Sequence, residues 1–191
     1  MRSLTLAACL VALLGSAPAL TASADPASAA TPAKAALPAL VAKDLSDTAV
    51  DLPARLSGTA GLLVVGFTMN SSDPCQSWVD HLWGELGDGR ECKLYSVVQL
   101  QQAPGFIVPV IVRALKKKTA PERLGHVFVA RQGLDDWQRA LGYDAKNGSD
   151  DPYLVLVDAS SRVLWTAHGA WTPARAASFE AARQKAAGKL P

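Results

Sequence analysis

Three cysteines, at positions 9, 75 and 92, are the side chains of this 191-residue chain best suited to chemistry, and Cys75 has the most suggestive surroundings. Ahead of it runs the polar turn Asn70-Ser71-Ser72-Asp73 and then Pro74, a residue suited to a first helical turn because its missing N–H is not needed there. From Pro74 onward Trp78, Leu82, Trp83 and Leu86 recur at helical spacing, so Cys75 is placed at the opening of a helix. A thiol there meets the positive end of the backbone dipole, which lowers its pKa and favours the nucleophilic thiolate. Asp73, two residues away, opposes that shift. The competing reading is a structural cysteine, half exposed and inert.

The other candidates carry less. Cys92 lies past the far end of the same helix, about ten helical residues or ~15 Å away. A disulfide needs Cα atoms within about 7 Å, so two separate thiols are expected rather than a Cys75–Cys92 bond. His81, His126 and His168 lack ligand spacing with one another and read as surface or packing histidines, so no metal site and no cofactor is expected. No phosphate-loop pattern, G-x-S-x-G or acid pair marks another enzyme class.

The elements that must position Cys75 follow from the apolar pattern. Leu62 to Phe67 is an unbroken apolar or glycine run, the signature of a strand buried on both faces. After the helix, Gly87-Asp88-Gly89 breaks the chain and Lys93 to Leu100 gives another strand. Phe106 to Lys118 follows as a helix starting near Pro109, its three final lysines suiting a helix C-terminus. Strands are expected at 126–130, 153–158 and 162–167, with a helix at 134–143 and a last helix from Thr172-Pro173 to about Ala187. Residues 40–58 read as two short strands and a loop ahead of this β-α-β-α-β-α-β-β-α order.

The composition sets the frame: 49% apolar and 19% charged residues build one sizeable core, and a net charge of +2 offers no basic face for nucleic acid. Residues 1–24 read as a secretory signal, with Arg2, an apolar stretch from Leu4 to Leu14 and a small-residue cleavage site at Ala22-Ser23-Ala24. That stretch is too short for a transmembrane helix, which needs about 20 apolar residues. Residues 25–39 form a flexible leader of Ala, Pro and Ser, and residues 40–191 the folded domain. The expectation is an exported protein, periplasmic or secreted, without an integral membrane segment after cleavage.

The strand, turn and helix leading to Cys75, together with Asp151-Pro152 ahead of the strand Tyr153 to Asp158, resemble the thioredoxin-like superfamily over residues 40–187. The resemblance implies an α/β thioredoxin-like fold, a central mixed sheet flanked by helices, here with an N-terminal β extension. It also implies a cis-proline at Pro152 and a groove beside it, formed by Trp78, Asp151, Pro152 and Tyr153, that receives an extended peptide or an envelope protein. The redox members carry W-C-x-x-C, whereas this chain has Cys75-Gln76-Ser77-Trp78, so no local dithiol closes if Cys75 is the first thiol. The peroxiredoxin pattern Pro-x-x-x-Thr/Ser-x-x-Cys is met by Ser72 but not by Thr68, which stands where the proline belongs. That partial match makes Cys75 and Ser72 the candidate catalytic pair. Gly66-Phe67-Thr68 is similar to the strand end of the copper chaperones of cytochrome-oxidase assembly, but their second cysteine and later histidine are missing.

The C-terminal half also resembles the mitochondrial ATP synthase assembly-factor family, a thioredoxin-fold group without a redox dithiol. Leu141-Gly142, the strand ending at Asp158, Arg162 to Trp165 and Gly169 carry that likeness. Two functions follow as expectations: a binding or assembly module of the cell envelope without turnover, or a one-cysteine thiol peroxidase or redox protein using Cys75.

Overall fold

A computed structural model describes residues 36–87, 89, 92–146, 148 and 150–187. The expected signal at 1–24 and most of the leader at 25–39 lie outside these residues. Residues 36 and 37, assigned to the leader from sequence, already belong to the fold: Ala36 bridges Arg162, and Leu37 is buried.

The organising strand is β3 (Ala60–Gly66), where Leu62, Leu63, Val64 and Val65 are all fully buried. It is apolar without alternation because both of its faces are covered. On one side it pairs in parallel with β4 (Cys92–Gln99), and on the other antiparallel with β6 (Tyr153–Val157), whose five residues are all buried. β4 pairs in parallel with β5 (Val127–Ala130), and β6 turns back antiparallel into β7 (Val163–His168). The N-terminal hairpin β1 (Leu40–Asp44) and β2 (Ala49–Leu52) adds to the free side of β5 through β1. The described strands form one mixed sheet in the order β2-β1-β5-β4-β3-β6-β7. The expected mixed sheet and N-terminal β extension are both present.

Among the described residues four α-helices cover the sheet. α1 (Ser72–Leu86) and α4 (Pro173–Ala187) share an apolar cluster with Leu62, Val64, Leu94, Leu154 and Leu156. α2 (Val108–Lys118) packs on the same face beside Leu100 and Val129, with a 3-10 turn at Pro121–His126 leading into β5. α3 (Leu134–Ala140) covers the opposite face, where Trp137 is fully buried among Leu63, Val65, Val97 and Phe128. Lys116, from the expected basic helix end, pairs with Asp47 of the β1–β2 turn at 2.6 Å and holds that carboxyl below its ordinary pKa.

Two side-chain details fix how α1 sits. Trp78 is fully buried, and its indole N–H donates to the Gly169 carbonyl at 3.0 Å. Gly66 leaves room for the first turn: a Cβ there would lie 2.5 Å from Ser71 Oγ and 3.2 Å from Cys75 Sγ.

Two predictions test this packing. Trp78→Phe leaves the Gly169 carbonyl without its donor and opens a small void, so chemical denaturation should show a loss of about 2–4 kcal/mol. Gly66→Ala should cost about 1–3 kcal/mol by overpacking, and an additional Ser71→Gly should recover part of it.

Candidate functional site

β3 delivers the chain at Gly66 into a short loop, and α1 then begins at Ser72 rather than at the expected Pro74. The Cys75 N–H donates to the Ser71 carbonyl at 2.9 Å, so Cys75 closes the first helical turn instead of opening it. Pro74 sits within that turn, where no helical acceptor awaits its missing N–H. The register turns Cys75 toward the sheet, leaving 7% of the residue exposed. Burial pushes the thiol up to about 12, and the Ser71 hydroxyl hydrogen bond offsets only part of that rise. Burial thus works against the activation expected from the helix dipole, because taking a thiolate out of water disfavours it.

Ser72 occupies the place Cys75 was expected to hold, exposed at the first helical residue. The sequence did carry the signal for this register. Cys75 falls three, four, seven and eleven residues before Trp78, Val79, Leu82 and Leu86, all of them buried on one helical face. Cys92, the first residue of β4, is 2% exposed in the same apolar cluster, and no disulfide joins the two.

The four residues expected to line the groove come close together, but mostly as core. Gly169 ties two of them: its N–H donates to the Pro152 carbonyl at 3.0 Å, and its own carbonyl accepts from Trp78. Trp78, Pro152 and Tyr153 are buried, so their side chains offer a partner no surface in this conformation. The Tyr153 hydroxyl accepts from the Asp144 N–H at 3.2 Å. Asp151 is half-buried and faces His168 at 3.1 Å. Leu52–Pro53 is the cis peptide bond among the described residues, and Asp151–Pro152 is trans, contrary to the resemblance. An X–Pro bond is trans by default.

The surface at this edge is made by other residues. The Asp150 carboxylate accepts from Thr68 Oγ1 at 2.6 Å and from Asn70 Nδ2 at 3.2 Å, tying the segment before β6 to the loop before α1. Those two bonds hold its carboxyl below the ordinary value. Met69, between its donors, is 63% exposed. Sequence reasoning missed this link because its partners lie 82 and 80 residues apart in the chain.

The remaining candidates are dispersed. His81 stacks on half-buried Trp171 with ring centres 3.8 Å apart. His126 lies against Leu94 and Trp83, and His168 against Asp151. Among the described residues no group of three or more His, Cys, Asp or Glu is placed to hold a metal ion, and no helix is long and apolar enough to cross a membrane.

No protein-family model matches the sequence, and no curated protein matches it. Solved structures match in shape. A putative thiol:disulfide interchange protein DsbE from Chlorobium tepidum superposes with a TM-score of 0.54 at 17% identity, over 81% of this chain and 97% of that one. BsSco, a member of the Sco family of cytochrome c oxidase assembly proteins, gives 0.54 at 13% identity, over 82% and 95%. The exposed lipoprotein thioredoxin Etrx1 from Streptococcus pneumoniae gives 0.51 at 13% identity, over 77% and 99%. Identities this low speak for architecture alone, and they give no support to the likeness to ATP synthase assembly factors. With the mixed sheet, its flanking helices and the β3–α1 junction, they establish that the chain has a thioredoxin-like fold.

Proposed function

We propose that this protein is exported and serves as a binding or assembly module of the cell envelope, a thioredoxin fold working without thiol turnover. The observation that carries the reading is the state of Cys75: buried, raised to about 12, and preceded by Ser72 at the exposed helical position. A thiol with that pKa is ionised to only about one part in 10⁵ at neutral pH, against a few per cent for an unperturbed cysteine. Disulfide exchange needs a thiolate and a second thiol to release the mixed disulfide. Cys92 sits at the strand end beyond α1, within the core rather than beside Cys75.

The partner in this reading is an extended peptide or an envelope protein that docks at the sheet edge beside Pro152. Because Pro152, Tyr153 and Trp78 are buried, recognition falls to the exposed rim around them, Met69, Asn70 and Asp150, with Asp151 and His168 alongside. One of the similar folds belongs to a family of cytochrome c oxidase assembly proteins, which supports an assembly role by analogy. The second reading, a one-cysteine peroxidase or redox protein, is favoured by one observation: Cys75 borders a cavity between α1 and α2, through which a small oxidant has a route to the sulfur.

Alkylation of Cys75 against pH separates the two. In a Cys92→Ser background, the binding reading expects a rate at pH 7 about a thousandfold below that of a free cysteine, still rising beyond pH 10. A plateau near pH 7, or disulfide reduction or peroxide turnover that disappears in Cys75→Ser, would establish thiol chemistry instead. Export has its own readout: protein recovered from the envelope or medium should begin near Asp25. An intact Met1 on cytosolic protein would remove the envelope from the proposal.

A further inference from the structure

α2 packs one face on the sheet and begins its other face with apolar side chains in water. Inward, Val108 is buried, and Ile111, Val112 and Leu115 pack against the cluster of Leu100 and Val129. Outward, Phe106 is 83% exposed, Val110 63%, and Ile107 is exposed beside them. Among the described residues the other large apolar side chains left in water are Val41 and Met69, on other elements. The turn that carries Phe106 is fixed by its backbone: the Ile107 N–H donates to the Pro104 carbonyl at 2.9 Å, and the Ile111 N–H to the Ile107 carbonyl at 3.1 Å. An apolar cluster presented by a fixed backbone marks a contact surface.

The charges around the cluster decide what it contacts. Residues 100–121 contain no Asp or Glu. Arg113, Ala114 and Lys117 continue the exposed stripe one and two turns beyond Val110. Lys116 is taken up by Asp47 at 2.6 Å, whereas Arg113 and Lys117 make no ion pair among the described residues. On the other side of the cluster stands Arg131, exposed at the end of β5, with Nη2 3.8 Å from where a Cβ on Gly105 would lie. Basic side chains thus flank the apolar cluster at both ends.

We propose that the outer face of α2 docks on an anionic lipid surface, with Phe106, Ile107 and Val110 entering the boundary between headgroups and acyl chains and Arg113, Lys117 and Arg131 meeting the lipid phosphates. The apolar side chains need an apolar phase, which a nucleic acid or a soluble anion does not offer. The basic flanks need negative charge, which a neutral bilayer does not offer. Three large side chains also fall short of the ~800 Å² per partner that a stable protein interface buries. Attachment of this kind is peripheral and reversible, each basic side chain near the surface contributing about fivefold in affinity. The docking at the Asp150 edge and the reactivity of Cys75 are independent of this surface.

The test follows position 106 itself, so that residues 1–24 cannot imitate the result. In the full chain with Cys9→Ser, Phe106→Cys carries an environment-sensitive fluorophore in place of the ring, Cys75 and Cys92 being buried. Vesicles of phosphatidylcholine with about a third phosphatidylglycerol should shift its emission to the blue, and phosphatidylcholine alone should not. The same fluorophore attached through Asp135→Cys, on α3 across the sheet, should keep its emission. Arg113→Gln with Lys117→Gln should raise the lipid concentration at half shift about twentyfold, and Val110→Ser about tenfold. All three side chains are exposed, so circular dichroism should show an unchanged fold. No blue shift, an equal shift on phosphatidylcholine alone or at position 135, or a midpoint unmoved by these substitutions would overturn the proposal. So would a dimer that forms without lipid and shifts the emission at position 106, since the face would then join two copies of the chain.

Discussion

The structure depends on β3 having no solvent-facing side. Four consecutive residues, Leu62 to Val65, are wholly out of water, and their side chains alternate between two cores, as do those of the neighbouring β6. Leu62 and Val64 hold α1 and α4; Leu63 and Val65 hold α3 and the aromatic layer of Tyr95, Phe128 and Trp137. A polar side chain anywhere in that run would lack a partner on one face or the other. The strand also determines where α1 starts, since it ends in a glycine whose missing side chain admits the first helical turn.

That junction decides the character of the thiol. Burial and the Ser71 hydrogen bond act on Cys75 with opposite sign, and the direction of the net shift shows that burial prevails. The same junction explains why the residues around Pro152 are tied down rather than open. Gly169 accepts from Trp78 and donates to Pro152, so α1, the start of β6 and the end of β7 are held by one backbone residue.

Much of the architecture was legible because its strands are fully buried and its helices carry strong boundaries. The runs Leu62 to Phe67 and Tyr153 to Asp158 identify themselves by composition, and Thr172-Pro173 marks the start of α4. The β1–β2 hairpin was legible as two strands, but its place beside β5 was not, since nothing local fixes a long-range partner. At the site, two signals competed for Trp78 and Cys75. Family position suggested surface, while helical periodicity shared with Val79, Leu82 and Leu86 pointed inward, and periodicity reports the actual environment. The Asp150 bridge and the cavity between α1 and α2 arise only when distant loops and helices meet, and no sequence window contains them.

The pairing of β3 with β6 also bears on when this chain can fold. Val65 sits opposite Tyr153, and Gly61 opposite Val157, so the central strand acquires its second neighbour only after most of the sequence has been made. β1 is in the same position, since Ala42 must wait for Ala130. Topologies built on such distant contacts collapse late, because loop closure is needed before any strand pairing compensates for it. An emerging N-terminal half therefore has no complete sheet to form. What it can pair is local, the β1–β2 hairpin and the β3–α1–β4 unit, each left with an unpaired edge until the C-terminal strands arrive.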